Sequence, residues 1–313
     1  MKSLVLATLL AGAVALPALA DYTIIAPANP GGGWDQTART MQTVMQEEGI
    51  SPRTQVQNVP GAGGTIGLAQ FASQNSGNGE ALIVGGYVMV GAILTNNSPV
   101  SLQDVTPIAR LTGEYEAIVV PAASPIQDMQ GLVDAMRADP GAVSWAGGSA
   151  GGADHIAVGL IAQEAGVDPT KINYIAYSGG GEALAALLGN QVTAGMSSLG
   201  EMEAQIEAGT LRLLAVSSPE RIEGVDAPTL IETGLDVELQ NWRMVAAPPG
   251  LSDEQRAKID ADIEKMVKSD AWQQQLADKG WADTYLAGEE FDAQLAADIA
   301  STEEILRQIG LVK

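Results

Sequence analysis

The sequence predicts an α/β fold built as two domains. Three observations predict it. Short runs of β-branched and apolar residues alternate with helix-period segments, the pattern of strands joined by helical crossovers. That rhythm runs through twice, and the tail from Ser252 to Lys313 resembles neither series. The chain has 313 residues and no cysteine. No disulfide staples it, and at this size a single hydrophobic core usually divides.

The elements follow in chain order. "MKSLVLATLLAGAVALPALA" (1–20) joins a basic start to an apolar run and an Ala-Leu-Ala ending. That is a secretory leader with cleavage expected after Ala20, and the apolar run is short for a membrane span. "YTIIA" (22–26) reads as a strand and residues 33–46 as a helix. "TQVQNV" is the next strand, residues 63–73 a helix, and "ALIVGG" a buried strand leading into "YVMVGAIL", a helix. "VTPIARL" and "EAIVVPA" read as two further strands, with "TGEY" between them. The second series runs helix 127–138, strand "AVSWAG", helix 151–165, strand "INYIAY", helix 180–188, strand "VTAGMSS", helix 199–208 and strand "LRLLAVSS". A turn-rich loop, "PERIEGVDAPTLIETGL", leads to "NWRMVAAPPG". The tail is helical, with "GWADTYLAG" able to add a last strand.

This order places domain 1 at residues 21–118 plus 242–313 and domain 2 at 119–241. The chain would cross between them in "EYEAIVVP" and again in "NWRMVAAP". Two strand-like crossings make a hinge, and the groove between domains so joined is a usual ligand site.

Charge narrows the function. There are 38 acidic against 16 basic residues, a net charge of −22. Nucleic acid as a partner is excluded, since it needs a basic face. An anionic ligand would have to be held by local positive features against the overall field.

Such features exist. Four loops share one form, a strand, then glycines, then a helix start: "NPGGGWD" (29–35), "VPGAGGTIG" (59–67), "AGGSAGGAD" (146–154) and "YSGGGEA" (177–183). The first N–H groups of a helix have no internal partner and carry partial positive charge, and glycine lets an anion approach them. The candidate binding residues are Asn29, Gly32, Gly33, Trp34 and Asp35 in the first loop and Gly61, Ala62, Gly63 and Gly64 in the second. Ser149, Gly151 and Asp154 follow in the third, and Tyr177, Ser178, Gly179 and Gly180 in the fourth. Gly32 and Gly63 are expected to need both the absence of a Cβ and a positive φ. Taken singly, each loop also reads as an ordinary strand-to-helix turn.

Enzyme motifs are incomplete. No G-x-x-x-x-G-K-[ST] is present. "GAGGTIG" puts Ile66 where a dinucleotide fingerprint needs its third glycine. "GGSAG" (147–151) matches the nucleophile elbow around Ser149. Its triad needs a histidine on a separate loop, and the only histidine, His155, lies in the helix that follows. One histidine without cysteine does not make a zinc site. No catalytic residue, metal or cofactor is therefore assigned. His155 reads as a packing or hydrogen-bonding residue, and Asp154 either caps its helix or meets a ligand hydroxyl. Arg243 could take a carboxylate bidentately or sit in a surface ion pair. Ser197 and Ser198 end a strand where open α/β sheets place ligands, or cap helix 199–208.

"PANPGGGWDQTAR", "NVPGAGGTIG", "GGSAGGADH", "YSGGGEALAALLGNQV", "LRLLAVSSPER" and "NWRMVAAPPG" together resemble the extracytoplasmic solute receptors of the tripartite tricarboxylate transporter family, the Bug-type receptors. The resemblance covers nearly all of the chain after the leader. It implies a type II periplasmic binding-protein fold, two α/β domains with a two-strand hinge closing on the ligand. It also implies a periplasmic, non-enzymatic receptor, expected as a monomer. Such a receptor binds a small di- or tricarboxylate and delivers it to a large and a small integral membrane subunit. In that family the loops matching Asn29–Asp35 and Pro60–Gly64 grip one carboxylate through backbone N–H groups and water. Those matching Gly148–Asp154 and Tyr177–Glu182 read the distal part of the ligand. Many relatives have "PFPPGGGTD" at the first loop. Here "PANPGGGWD" places Trp34 where a small residue is usual and is more like the citrate-type branch. A sensor that reports its ligand to a membrane kinase, and a secreted hydrolase using Ser149, are the rival readings.

Overall fold

The computed structural model describes residues 22–313; the leader assigned to residues 1–20 lies outside the described residues. The elements are β1 (Thr23–Ala26), α1 (Gly33–Glu47), β2 (Gln55–Asn58), α2 (Thr65–Gln74), β3 (Ala81–Gly86), α3 (Tyr87–Thr95) and β4 (Thr106–Pro121). Then come α4 (Met129–Ala138), β5 (Ser144–Gly147), α5 (Ala153–Glu164), β6 (Asn173–Ala176), α6 (Gly180–Leu188), β7 (Ala194–Ser198), α7 (Leu199–Glu207) and β8 (Leu211–Val216). The chain ends with β9 (Gln240–Ala247), α8 (Asp253–Val267), α9 (Asp270–Lys279), β10 (Ala282–Ala287) and α10 (Gly288–Gln308).

The strands join in the order β2-β1-β3-β9-β4-β7-β5-β6, with β8 and β10 also pairing with β4. The strands β1, β2 and β3 run parallel, as do β5, β6 and β7. Their apolar runs, such as the wholly buried "ALIVGG", suit strands covered on both faces. Helix α1 lays Trp34, Ala38, Met41 and Met45 against this sheet at helical spacing. The larger apolar cluster extends from Ile24 and Leu82 on one side to Trp145 and Ile156 on the other.

Two expectations are corrected. The two strands read at "VTPIARL" and "EAIVVPA" are one 16-residue strand, β4. Gly113, in the segment left between them, is where β9 comes close. A Cβ there would stand 2.5 Å from the Gln240 side chain. Residues Thr106–Tyr115 of β4 pair with β9, and Glu116–Pro121 pair with β7 and β8. A single strand thus passes from one set of neighbours to the other. "GWADTYLAG" does supply β10, antiparallel to β4. The helix expected from residue 63 begins at Thr65, because Ala62–Gly64 form a separate tight turn with Gly63 at φ +60° and Gly64 at +88°.

Candidate functional site

A cavity of about 620 Å³ lies where the glycine loops meet, a size in the range of small-molecule sites. Five helices begin at its wall: α1, α5 and α6 with their first residues, and α2 and α7 just after the lining residues Gly64 and Ser198. None of the five has a side-chain cap. Of the other helices, α4, α8 and α9 are capped by Asp128, Ser252 and Ser269, while α3 and α10 are not. An uncapped helix start leaves backbone N–H groups for whatever occupies the cavity.

The loops are held by acids in the first turn of the helix that follows. Asp35 accepts from the Gly31 N–H (2.8 Å), Asn58 Nδ2 (2.8 Å) and Arg39 Nε (2.9 Å). Asp154 Oδ2 accepts from the Gly148 N–H, and Glu182 Oε2 from the Ser178 N–H. Each acid fixes the loop by one N–H and leaves the helix start open.

Most of the residues expected to bind meet at this wall. Asn29, Gly32, Gly33 and Trp34 line it from one side with Gly61, Ala62, Gly63 and Gly64. Ser149 and Asp154, Tyr177 through Gly180, and Ser197, Ser198 and Arg243 complete it. Asp35 and Gly151 stand outside the lining. Asp35 braces the first loop from behind, and Gly151, at φ +75°, turns its chain against Thr95. Gly63 has the expected strain, since a Cβ would lie 2.4 Å from Ala92 Cβ. Gly32 does not, because its φ of −73° and ψ of 163° suit any residue. The glycine that matters in that loop is Gly33, where a Cβ would stand 2.6 Å from Arg243 Nη2.

Arg243 is not a surface ion pair. It is 5% exposed, and its Nη2 meets Glu114 Oε2 at 2.9 Å. Nη1 donates to the carbonyl and side chain of Asn241, while Nε has no partner. Glu114 Oε1 accepts from Trp281 Nε1 at 2.9 Å. Ser198 stands at the N-cap position of α7 without its side chain capping it, and Ser197 Oγ bonds Glu201 Oε2.

His155 takes the packing role. Its ring stacks on Tyr174 with centroids 4.0 Å apart, and Nδ1 accepts from the Gly151 N–H at 3.2 Å. Burial lowers its pKa to about 4, so the ring is neutral at physiological pH. Its δ-nitrogen serves the backbone instead of Ser149. Among the described residues no group of three or more His, Asp or Glu could hold a metal ion, and no helix is long and apolar enough to cross a membrane.

The sequence reading missed Glu201, Asn241 and the acids behind them. Glu114 and Glu116 on β4 are buried, and Glu116 is fully enclosed with neither carboxylate oxygen partnered. Burial raises its carboxyl well above the usual range, and the charges of Asp154 and Glu114 raise it further. Burial likewise brings Asp154 to about 6 and Glu201 to about 7. Glu201 had one readable signal, its place four residues after Ser197 in a helix's first turn.

The alternation of parallel strands and helices, with β4 passing from one strand set to the other, is the fold of the periplasmic binding proteins, as similarity to solved structures shows. MatC of Rhodopseudomonas palustris with bound malate has a TM-score of 0.81 at 24% identity, covering 91% of this chain and 98% of that one. A second R. palustris protein, with adipate, has a TM-score of 0.83 at 23% identity, covering 93% and 97%. Protein BugT of Bordetella pertussis is 27% identical over 309 residues, 95% of this chain and 93% of BugT. Residues 37–311 match the model of the tripartite tricarboxylate transporter family receptor. The chain belongs to that family of solute-binding receptors.

Proposed function

We propose that this receptor captures a small di- or tricarboxylate, citrate-like in class, in the cleft and delivers it to the large and small membrane subunits of a tripartite transporter. The observation that carries the reading is the convergence of five uncapped helix starts and a buried arginine on one cavity. Helix starts and a guanidinium favour anions, and a chain of net charge −22 needs such a device to hold one. The similar MatC and adipate-bound structures carry dicarboxylates, which suits the same chemistry here. On this reading residues 21–118 plus 242–313 form one domain and 119–241 the other, closing about β4 and β9. The receptor acts in the periplasm as a monomer, and its role is binding without catalysis. Ser149 then serves as a lining hydroxyl.

The test is a thermal-shift titration of protein refolded free of ligand, with malate, adipate and citrate. A ligand that binds only the folded state stabilises it by RT ln(1 + [L]/Kd), about 2.7 kcal/mol at 100 Kd. Tm should rise with the logarithm of concentration for at least one of the three. No shift with any of them at saturation would overturn the carboxylate reading.

A further inference from the structure

The cavity has more acid than base. Arg243 is the only cation among its described lining residues, and Asp154, Glu182 and Glu201 line it too. Glu114 and Glu116 of β4 lie close enough behind to act on Glu201 and Asp154 electrostatically. Yet five helix starts turn toward the space, and Arg243, nineteen-twentieths buried, keeps its Nε unpartnered there. An anion entering meets fixed donors and, beside them, carboxylates that would repel it if ionised. Those two facts fit together only if some of the carboxyls are neutral when the ligand is present.

Glu201 is the one best placed. It opens α7 at the cavity wall, and Ser197 Oγ bonds its Oε2. Its Oε1 has no hydrogen-bond partner among the described residues. The groups facing it are Glu114 and Glu116 on β4, Asp154 on α5 and Arg243 on β9. The nearby ions from other elements are engaged elsewhere. Glu182 of α6 binds the Ser178 N–H, and Arg212 of β8 binds the carbonyls of residues 122, 124 and 126. Lys279 lies over the Trp281 ring. Arg243 gives its charge to Glu114, so Glu201 has no cation of its own. A neutral carboxyl is a hydrogen-bond donor, which an ionised one is not.

We propose that Glu201 binds the ligand as a carboxylic acid, taking one proton from solvent as the anion enters and donating its O–H to a ligand oxygen, so that capture of the anion is coupled to proton uptake. This rests on the carboxylate reading above. Burial already brings Glu201 to about 7, so the proton is taken up near neutrality. A second negative charge beside it shifts the balance further toward the acid. On release the proton returns to solvent, and charge is conserved through the cycle.

The experiment is isothermal titration calorimetry with whichever of malate, adipate and citrate binds most tightly at about pH 8, where aliphatic carboxyls of pKa about 4 are fully ionised. Each titration is run in two buffers of different ionisation enthalpy, which counts the protons exchanged. The expected result is uptake of close to one proton per ligand, with Kd rising by up to about tenfold per pH unit between about pH 7 and 9. Glu201→Gln keeps a donor that cannot titrate. Its uptake should fall by about one proton and its Kd should flatten, so that at about pH 9 it binds more tightly than wild type. Binding with no uptake, or uptake unchanged in Glu201→Gln, overturns the proposal and leaves the carboxylate reading standing. Affinity that rises with pH and is lost in Glu201→Gln overturns it in favour of an ionised Glu201 gripping a cationic ligand group. If none of the three acids binds, the carboxylate reading itself falls and this proposal with it.

Discussion

Replacing Arg243 by methionine removes the guanidinium that faces Glu114 at 2.9 Å and keeps an unbranched side chain of similar reach. Glu114 is 7% exposed and would be left with the Trp281 indole as its remaining partner. An ionised carboxylate so placed relieves itself by taking a proton. An ordinary glutamate titrates at about 4.3 and each pH unit is worth about 1.36 kcal/mol, so neutralising one costs about 3.7 kcal/mol at pH 7 and about 1 kcal/mol at pH 5. The first figure falls within the roughly 3–5 kcal/mol typical of a buried pair broken on one side. Protonating the stranded carboxyl becomes easier as pH falls, so the variant's deficit shrinks with it. Urea unfolding followed by tryptophan fluorescence, at both pH values and without ligand, measures this. Adding Glu114→Gln to Arg243→Met should recover most of the loss. A deficit below about 1 kcal/mol at pH 7, or one equal at both pH values, would show that the pair does not bear on stability as reasoned.

Two further substitutions test the loops. Gly63→Ala puts a Cβ 2.4 Å from Ala92 Cβ at a φ of +60°. It should lower Tm and weaken the best ligand at least about tenfold, with Gly32→Ala milder on both counts in the same titrations. Asp35→Ala frees the Gly31 N–H, Asn58 and Arg39, and should cost about 1–3 kcal/mol near neutral pH. Burial pushes the Asp35 carboxyl up, but hydrogen bonds from Arg39, Gly31 and Asn58 outweigh it and hold the carboxyl below its usual range. Its contribution is therefore present above the ordinary aspartate pKa of about 3.9 and lost as pH falls through the lower folded value, so acid unfolding curves of variant and wild type should converge there.

Much of the fold was legible because its signals are local. The apolar run "ALIVGG", the alternation of strands and helices, and the glycines before helix starts all lie within a few residues of what they specify. The glycine loops identified the cleft for the same reason. What was not legible depends on partners far along the chain. The "TGEY" segment reads as a gap between two strands until β9, more than a hundred residues on, is seen to pair along it. Glu114, Glu116 and Glu201 look like members of an ordinary acidic surface, and the sheet order brings them to one arginine together with Asp154. Arg243 itself could not be placed as surface or interior from sequence, because burial of a charge is decided by the acid opposite it.

The passage of β9 between β3 and β4 also sets the order in which the molecule can be assembled. Strand β3 ends at Gly86, and the strand that covers its edge does not begin until Gln240. The neighbours of β5 and β7 all lie between residues 106 and 198. The later strand set can therefore close first, while β1 to β3 wait with an open edge, Ile83 to Gly86, of the kind that pairs with other chains. Contacts so distant in sequence form slowly. A substitution that delays the second set would expose that edge for longer, and its first symptom would be aggregation at β3, far from the residue changed.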